Sequence, residues 1–147
     1  MSSTQEIIKQ IIQKLYRESM SRFNFHINQY GDNGHLEAED GTFLGKFSNK
    51  YDSESIFNQY GNYGSKYSAT SIFNQYSNYG SKYSALSPVN LYTATPPKVF
   101  WNGQYIGRLT VNKYVAGALP TDLFLFYVMY HMGVLDDRLD DFIDLIS

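Results

Sequence analysis

Apolar residues near the start of the chain recur at helical spacing. Ile7, Ile8, Ile11, Ile12, Leu15, Tyr16 and Met20 share one face, with Lys9, Lys14 and Arg17 largely off it. Ser3-Thr4-Gln5-Glu6 in front of them has the form of a capping box, in which Ser caps a backbone N–H and Glu reaches back. The pattern predicts an amphipathic helix over 4–20. Its apolar stripe needs a cover, either the chain's own core or a second subunit. Phe23, Phe25 and Ile27 then alternate with Arg22, Asn24, His26 and Asn28, the period of a half-buried strand. Gly31-Asp-Asn-Gly34 reads as a turn.

Two hairpins follow the same plan. His35 to Glu39 and Thr42 to Phe47 flank Asp40-Gly41, a pair that suits a type I′ turn because both central residues need positive φ. Lys98 to Trp101 and Gln104 to Val111 flank Asn102-Gly103 in the same way. The outgoing strands match, Gly41-TFLGKFSNKY against Gly103-QYIGRLTVNKY, which places Phe43 with Tyr105 and Phe47 with Leu109. A pseudo-twofold pairing into a four- or five-stranded antiparallel sheet is expected.

Between the hairpins lies a tandem repeat of sixteen residues. Its copies are Tyr51-DSESIFNQYGNYGS-Lys66, Tyr67-SATSIFNQYSNYGS-Lys82 and Tyr83-SALSPVNLYTATPP-Lys98. The first two agree at 12 of 16 positions and the last two at 7, so the third is the decayed, terminal copy. Ser55-Ile56-Phe57-Asn58 fits one helical turn, with Ser as N-cap and Asn left-handed at its end. Gly61, Gly64 and Gly80 supply further turns. Stacked turns with ladders of Tyr and Asn are expected, anchored by Ile56/Phe57 and Ile72/Phe73, with Pro88/Val89 in those places in the last copy.

The C-terminal third reads as two helices. Thr121 is the expected N-cap of a helix whose body, Leu123 to Met132, is apolar nearly all round, with Gly133 as C-cap. Leu135, Leu139, Phe142, Ile143 and Ile146 then oppose Asp136, Asp137, Asp140, Asp141 and Asp144 on a last helix over 135–146. The fold class expected is α+β in a single domain over 1–147. Its parts are a helix over 4–20, strand and hairpin over 23–50, repeats over 51–98, a second hairpin over 98–114, and helices over 121–147.

The YGSKYS-x-x-SIFN-x-Y pattern, bracketed by G-x-[FY]-[LI]-G-[KR] strands and closing near TVNKY, resembles a family of uncharacterised bacterial proteins with such repeats. The likeness covers roughly Gly41 to Tyr114. It implies a bacterial protein of shared fold and brings with it no activity, cofactor or catalytic residue.

Composition narrows the function classes. The chain has no cysteine, which excludes disulfides, thiolate catalysis and sulfur-ligated metals. A net charge of −2 disfavours a dedicated nucleic-acid binder. Leu123 to Tyr130, the longest apolar run, is short of the roughly 20 residues of a membrane span. MSSTQEIIKQ has no basic region leading into an apolar run, so a cytoplasmic protein without a secretory signal is expected. Charge is unevenly placed: seven basic against two acidic residues over 41–114, and five acidic against one basic over 134–147.

Candidate chemistry is sparse. His26, His35 and His131 show no metal spacing. Gly61-Asn-Tyr-Gly-Ser-Lys66 departs from the phosphate-loop pattern. Asp52, Ser53, Glu54 and Asn58 hint at a calcium loop, but the later copies lack the carboxylates that calcium needs. No G-x-S-x-G elbow places a nucleophile. These residues point to no cofactor and to a non-enzymatic protein that binds another protein, a second copy of itself included. The expected surface is Phe124, Phe126 and Met129 with Asp136, Asp137, Asp140, Asp141 and Asp144. A glycan-binding module using Tyr60, Tyr63, Tyr76 and Tyr79 is the alternative, and a small hydrolase with a motif-free site is third.

Overall fold

A computed structural model describes residues 3–30 and 33–147, without the side chains of Gln5 and of 22–30. The architecture is α+β: helices at both ends and a five-stranded sheet, with the repeats between its second and third strands. The elements are α1 (Thr4–Tyr30), β1 (Gly34–Glu37), β2 (Phe43–Phe47), β3 (Lys98–Trp101), β4 (Gln104–Thr110), β5 (Ala118–Pro120), α2 (Thr121–His131) and α3 (Leu135–Ile146).

Helix α1 opens as its sequence predicts, with Ser3 Oγ accepting the Glu6 N–H at 3.1 Å. It runs on to Tyr30, so the strand expected over 23–27 is helical. Alternation over a few residues is a weaker signal than an established helix, where each further residue adds one hydrogen bond. His26 lies in this stretch, its side chain outside the described residues, and the expected turn at 31–34 is described only at Asn33 and Gly34.

The sheet order is β2-β1-β3-β4-β5. The first four strands are antiparallel neighbours, while β5 lies parallel to β4, so the sheet is mixed rather than wholly antiparallel. Leu36 pairs with Val99 where the hairpins meet, and Leu36 faces Gly45 as Val99 faces Gly107. A pseudo-twofold axis therefore passes through the Leu36–Val99 pair, and Phe43 and Tyr105 occupy equivalent places, as do Phe47 and Leu109. Gly45 and Gly107 both hold positive φ, at 113° and 153°, beside the one residue, Leu44 or Ile106, by which each outgoing strand exceeds its partner. The symmetry thus extends to the backbone.

The turns differ in kind. Asn102 and Gly103 have φ of 50° and 78°, as a type I′ turn requires. In the first hairpin only Gly41 is left-handed, at 88°, and its N–H donates to the Ala38 carbonyl at 2.9 Å. That is a type I turn closed by a glycine bulge, one residue longer than the expected I′ turn.

Beneath the sheet, Phe47 stacks on Trp101 at 5.5 Å, and both meet the edge of Phe124 from α2. Gly34 lacks a side chain because a Cβ there would lie 2.5 Å from the Trp101 ring. Helix α2 is buried from Leu123 through Met129. Pro120, not Thr121, is its N-cap, and Thr121 begins the helix. Its end has the Schellman form: Gly133 is left-handed and the Val134 N–H reaches the Met129 carbonyl at 3.0 Å. Tyr16 of α1 packs on Tyr130 of α2 at 4.2 Å, so α1 covers α2 within the chain.

Candidate functional site

The repeats are built on a shorter period than sixteen. From Asn49 to Thr93 the backbone N–H of nearly every third residue donates to the carbonyl three before it, at 3.0–3.3 Å. The residue at each step is Asn, Asp, Ser or Thr almost throughout. Its side-chain oxygen accepts the N–H two residues on, as Ser71 does from Phe73, Asn74 from Tyr76 and Ser77 from Tyr79. Asn and Ser favour such local bonds over helix, which is why the chain keeps turning. The Asn residues are not left-handed caps. Asn58, Asn74 and Asn90 accept forward through Oδ1 and donate back through Nδ2 to the carbonyls of Asp52, Ser68 and Ser84. Ser55 to Asn58 is accordingly one link in a chain of turns rather than a turn of helix.

Five such triplets and one glycine make sixteen residues. The glycines are Gly64 and Gly80, where a Cβ would come within 2.1 Å of the Asn58 and Asn74 carbonyl oxygens. The chain folds so tightly back on itself there that no side chain fits.

The second and third residues of each triplet decide what the array shows. Ile56, Phe57, Ile72 and Phe73 are buried in the same core as Leu36, Val99 and Phe124. Since the anchors of successive copies reach one core, the array turns little from one copy to the next. The opposite positions face outward. Tyr51, Tyr67 and Tyr83 are 83%, 84% and 83% exposed, and Tyr60, Tyr76 and Tyr92 are 89%, 88% and 90% exposed. A lysine lies over each tyrosine of the first set, Lys50, Lys66 and Lys82 at 5.4, 5.9 and 5.5 Å from the ring centres. Lys113 repeats this over Tyr114 in the second hairpin, at 5.4 Å.

Of the four tyrosines the sequence singles out for a glycan, Tyr60 and Tyr76 belong to these rows. The other two hold structure. Tyr63 packs edge-on against Phe43 at 5.0 Å, and Tyr79 Oη donates to Asp40 Oδ2 at 2.8 Å and also contacts Thr42 Oγ1 at 3.0 Å. Bonds from Thr42 and Tyr79 hold the Asp40 carboxyl below its ordinary range. Tyr51, Tyr67, Tyr83 and Tyr92 are the members that sequence reasoning passed over. Their signal was there, because Tyr at the first and tenth repeat positions is kept in all three copies.

The expected protein-binding surface divides. Phe124, Phe126 and Met129 are fully buried in the chain's own core, enclosed by the sheet, α1 and α3, and offer a partner nothing to touch. On α3 the acidic side lies partly over the repeats. Asp137 pairs with Lys50, and Asp141 binds Arg138 Nε at 2.8 Å. Arg138 is 1% exposed, with Nη2 on the Gly64 carbonyl at 2.7 Å and its guanidinium 4.5 Å from the Phe73 ring centre. Burial pulls its pKa below the usual arginine value. Leu135, Arg138, Phe142 and Leu145 form the inward face, so Ile143 and Ile146, expected inside, are exposed beside Asp136, Asp140 and Asp144.

The remaining candidates are accounted for locally. Asp52 is engaged by Ser48 Oγ and the Glu54 N–H, both at 2.9 Å, which lowers its pKa. Gly61 to Lys66 continues the chain of turns. His35 stacks on Phe100 at 5.1 Å, and His131 lies against Tyr127 at 4.3 Å. Among the described residues no group of three His, Asp or Glu is placed to hold a metal ion. A hollow of about 200 Å³ lies between Thr110, Val111, Lys113, Pro120, Asp122 and Ile146, with Asp122 as its one carboxylate. Among the described residues no helix is long and apolar enough to cross a membrane.

Compared with protein-family models, with curated proteins and with solved structures, the chain gives no match.

Proposed function

We propose that the protein is a non-enzymatic binding module that takes a glycan chain on the outward tyrosines of its repeats. The observation that carries this is the exposure of Tyr51, Tyr60, Tyr67, Tyr76, Tyr83 and Tyr92, each above 80%, on a backbone fixed by hydrogen bonds every third residue. An aromatic ring left in water forgoes the free energy of burial, and rows of such rings mark surfaces that another molecule covers. Tyrosine suits sugars because its face packs on their apolar C–H side while its hydroxyl bonds to theirs. The backbone that carries them is ordered beforehand, so little backbone entropy is lost on binding. Affinity electrophoresis through gels containing soluble polysaccharides tests the reading. The wild type is retarded by at least one glycan, and the triple variant Tyr60→Ala/Tyr76→Ala/Tyr92→Ala runs freely with an unchanged melting temperature. Equal retardation of the two proteins would sink it.

A second reading rests on Ile143 and Ile146, exposed beside Asp136, Asp140 and Asp144. They offer a basic, partly apolar protein segment a charged and greasy edge. Titration with a Lys/Leu peptide checks this, and binding that survives Asp136→Asn/Asp140→Asn/Asp144→Asn counts against it.

A further inference from the structure

The rows contain more than tyrosine. At the start of each copy the preceding lysine sets its ammonium group against the exposed first ring, and the three differ in what else that ammonium meets. Lys50 is held by Asp137 of α3. Lys66 and Lys82, on the same position of their copies, lie over Tyr67 and Tyr83 and make no ion pair with a described carboxylate. The second copy has no acidic residue at all, and neither has the third. The outward side therefore presents twice, in the same local geometry and one repeat apart, a ring with a cation that pairs with no described carboxylate.

We infer that the ligand is a linear polysaccharide bearing carboxylates at regular intervals, its sugar faces on the tyrosines and its carboxylates on Lys66 and Lys82. The inference rests on the glycan reading above and adds the charge. A periodic surface matches a periodic polymer, because the same contact is made at each step and the contacts reinforce one another. An ammonium that already lies on a ring needs little further ordering to meet a carboxylate. Single-stranded nucleic acid is the other periodic anion with flat faces. It calls for a continuous basic groove, commonly with arginine. Here the cations come one per sixteen residues, and none in the repeats is arginine. The sparse charge fits a polymer in which carboxylates are the minor contact and sugar rings the major one.

The test compares alginate and polygalacturonate with their carboxyl-reduced, neutral counterparts in the same electrophoresis. Tighter retention by the acidic form of at least one pair is expected. Lys66→Gln/Lys82→Gln should remove that preference, with affinity for the acidic polymer falling about threefold for each lysine lost. Lys9→Gln/Lys14→Gln, on α1, changes net charge equally and should leave the preference intact. If the acidic and neutral forms of every bound polymer are held alike, the charge inference fails while the glycan reading stands. If both lysine pairs act equally, the effect is net charge and the site is wrong. No retention by any of the four polymers overturns the charge inference, and the glycan reading falls as well if no other soluble polysaccharide retards the protein; tighter retention by single-stranded oligo(dT) overturns both.

Discussion

The two hairpin modules are built alike to a point and then diverge. Each runs from its hairpin into an Asn-Lys-Tyr turn, Asn49 to Tyr51 and Asn112 to Tyr114, and each Asn accepts the N–H of its Tyr. Each chain then takes two more three-residue steps, Asn49 to Asp52 to Ser55 and Asn112 to Val115 to Ala118. Each returns alongside its own outgoing strand in parallel, Ser55 beside Lys46 and Ala118 beside Arg108. There the likeness ends. Asp52 and Ser55 carry side-chain acceptors, which the Glu54 and Phe57 N–H groups use, and turning continues into the repeats. Val115 and Ala118 have none to offer. The second chain straightens into β5 and, at Thr121, the place equivalent to Asn58, enters α2 instead. One polar side chain in three separates a chain of turns from a helix.

The largest effect expected comes from the glycines that set the sixteen-residue period. Gly80→Ala puts a methyl group on the Asn74 carbonyl and should cost about 3 kcal/mol or more, since backbone cannot step aside as a side chain can. Urea denaturation measures it, and a loss below about 1 kcal/mol would show that the turns give way easily.

Arg138→Ala comes next. It strands Asp141 and the Gly64 carbonyl and opens a gap over Phe73, for about 2–4 kcal/mol by thermal or chemical unfolding. Hydrogen exchange should rise first in the repeats, not in the second hairpin, because Arg138 fastens α3 to the array.

Asn74→Ala removes two bonds of a buried amide, about 1–3 kcal/mol, whereas Lys82→Ala should stay within about 0.5 kcal/mol. Similar shifts for both would mean that the turn amides matter no more than the surface.

Acid should separate the modules. Glu39 is held below its ordinary value of 4.5 chiefly by its bond to Arg108, and Asp40 and Asp52 below 3.8 chiefly by backbone N–H groups. Carboxylates depressed in the fold contribute fully above those ordinary values, and the contribution is lost as pH falls through the lower, folded ones. The equivalents of Asp40 and Asp52 are Asn102 and Val115, so the first hairpin should loosen before the second between about pH 4 and 2. Amide exchange followed down the pH scale would see it.

The smallest expected effect is a gain. Val115→Asn restores an acceptor to the second module and should add a few tenths of a kcal/mol at most, roughly what one exposed local bond contributes.

Much of this was legible beforehand. The hairpins stood out because Asn-Gly and Asp-Gly between alternating runs admit few other folds, and the Schellman glycine at 133 is equally plain. The three-residue step was harder to see, because Ser, Asn and Thr interchange at it while the sixteen-residue identities draw the eye. Strand β5 escaped because Ala118-Leu-Pro120 has too few residues for any period. Burial of α2 was visible in its all-round apolarity. Whether the chain itself or a second copy enclosed it depended on how α1, α3 and the sheet meet, which no local pattern records. For the site, Tyr63 and Tyr79 look like Tyr60 and Tyr76 in sequence, and only packing against Phe43 and Asp40 separates them.

Strands β2 and β3 are both antiparallel to β1, which lies between them, so they run parallel to each other. A chain joining two parallel strands of one sheet has to travel back along their length, a crossover ordinarily made by a helix of a dozen residues or so. Here the whole array makes that return. Its ends are fixed by the sheet about 10 Å apart, two strand spacings, and unlike an open solenoid it cannot lengthen at a free end. An added copy would have to bulge outward between its anchors. The sheet therefore fixes how many outward tyrosines lie in register. The outward tyrosines thus form rows of set length, carried where most folds would have put a plain helix.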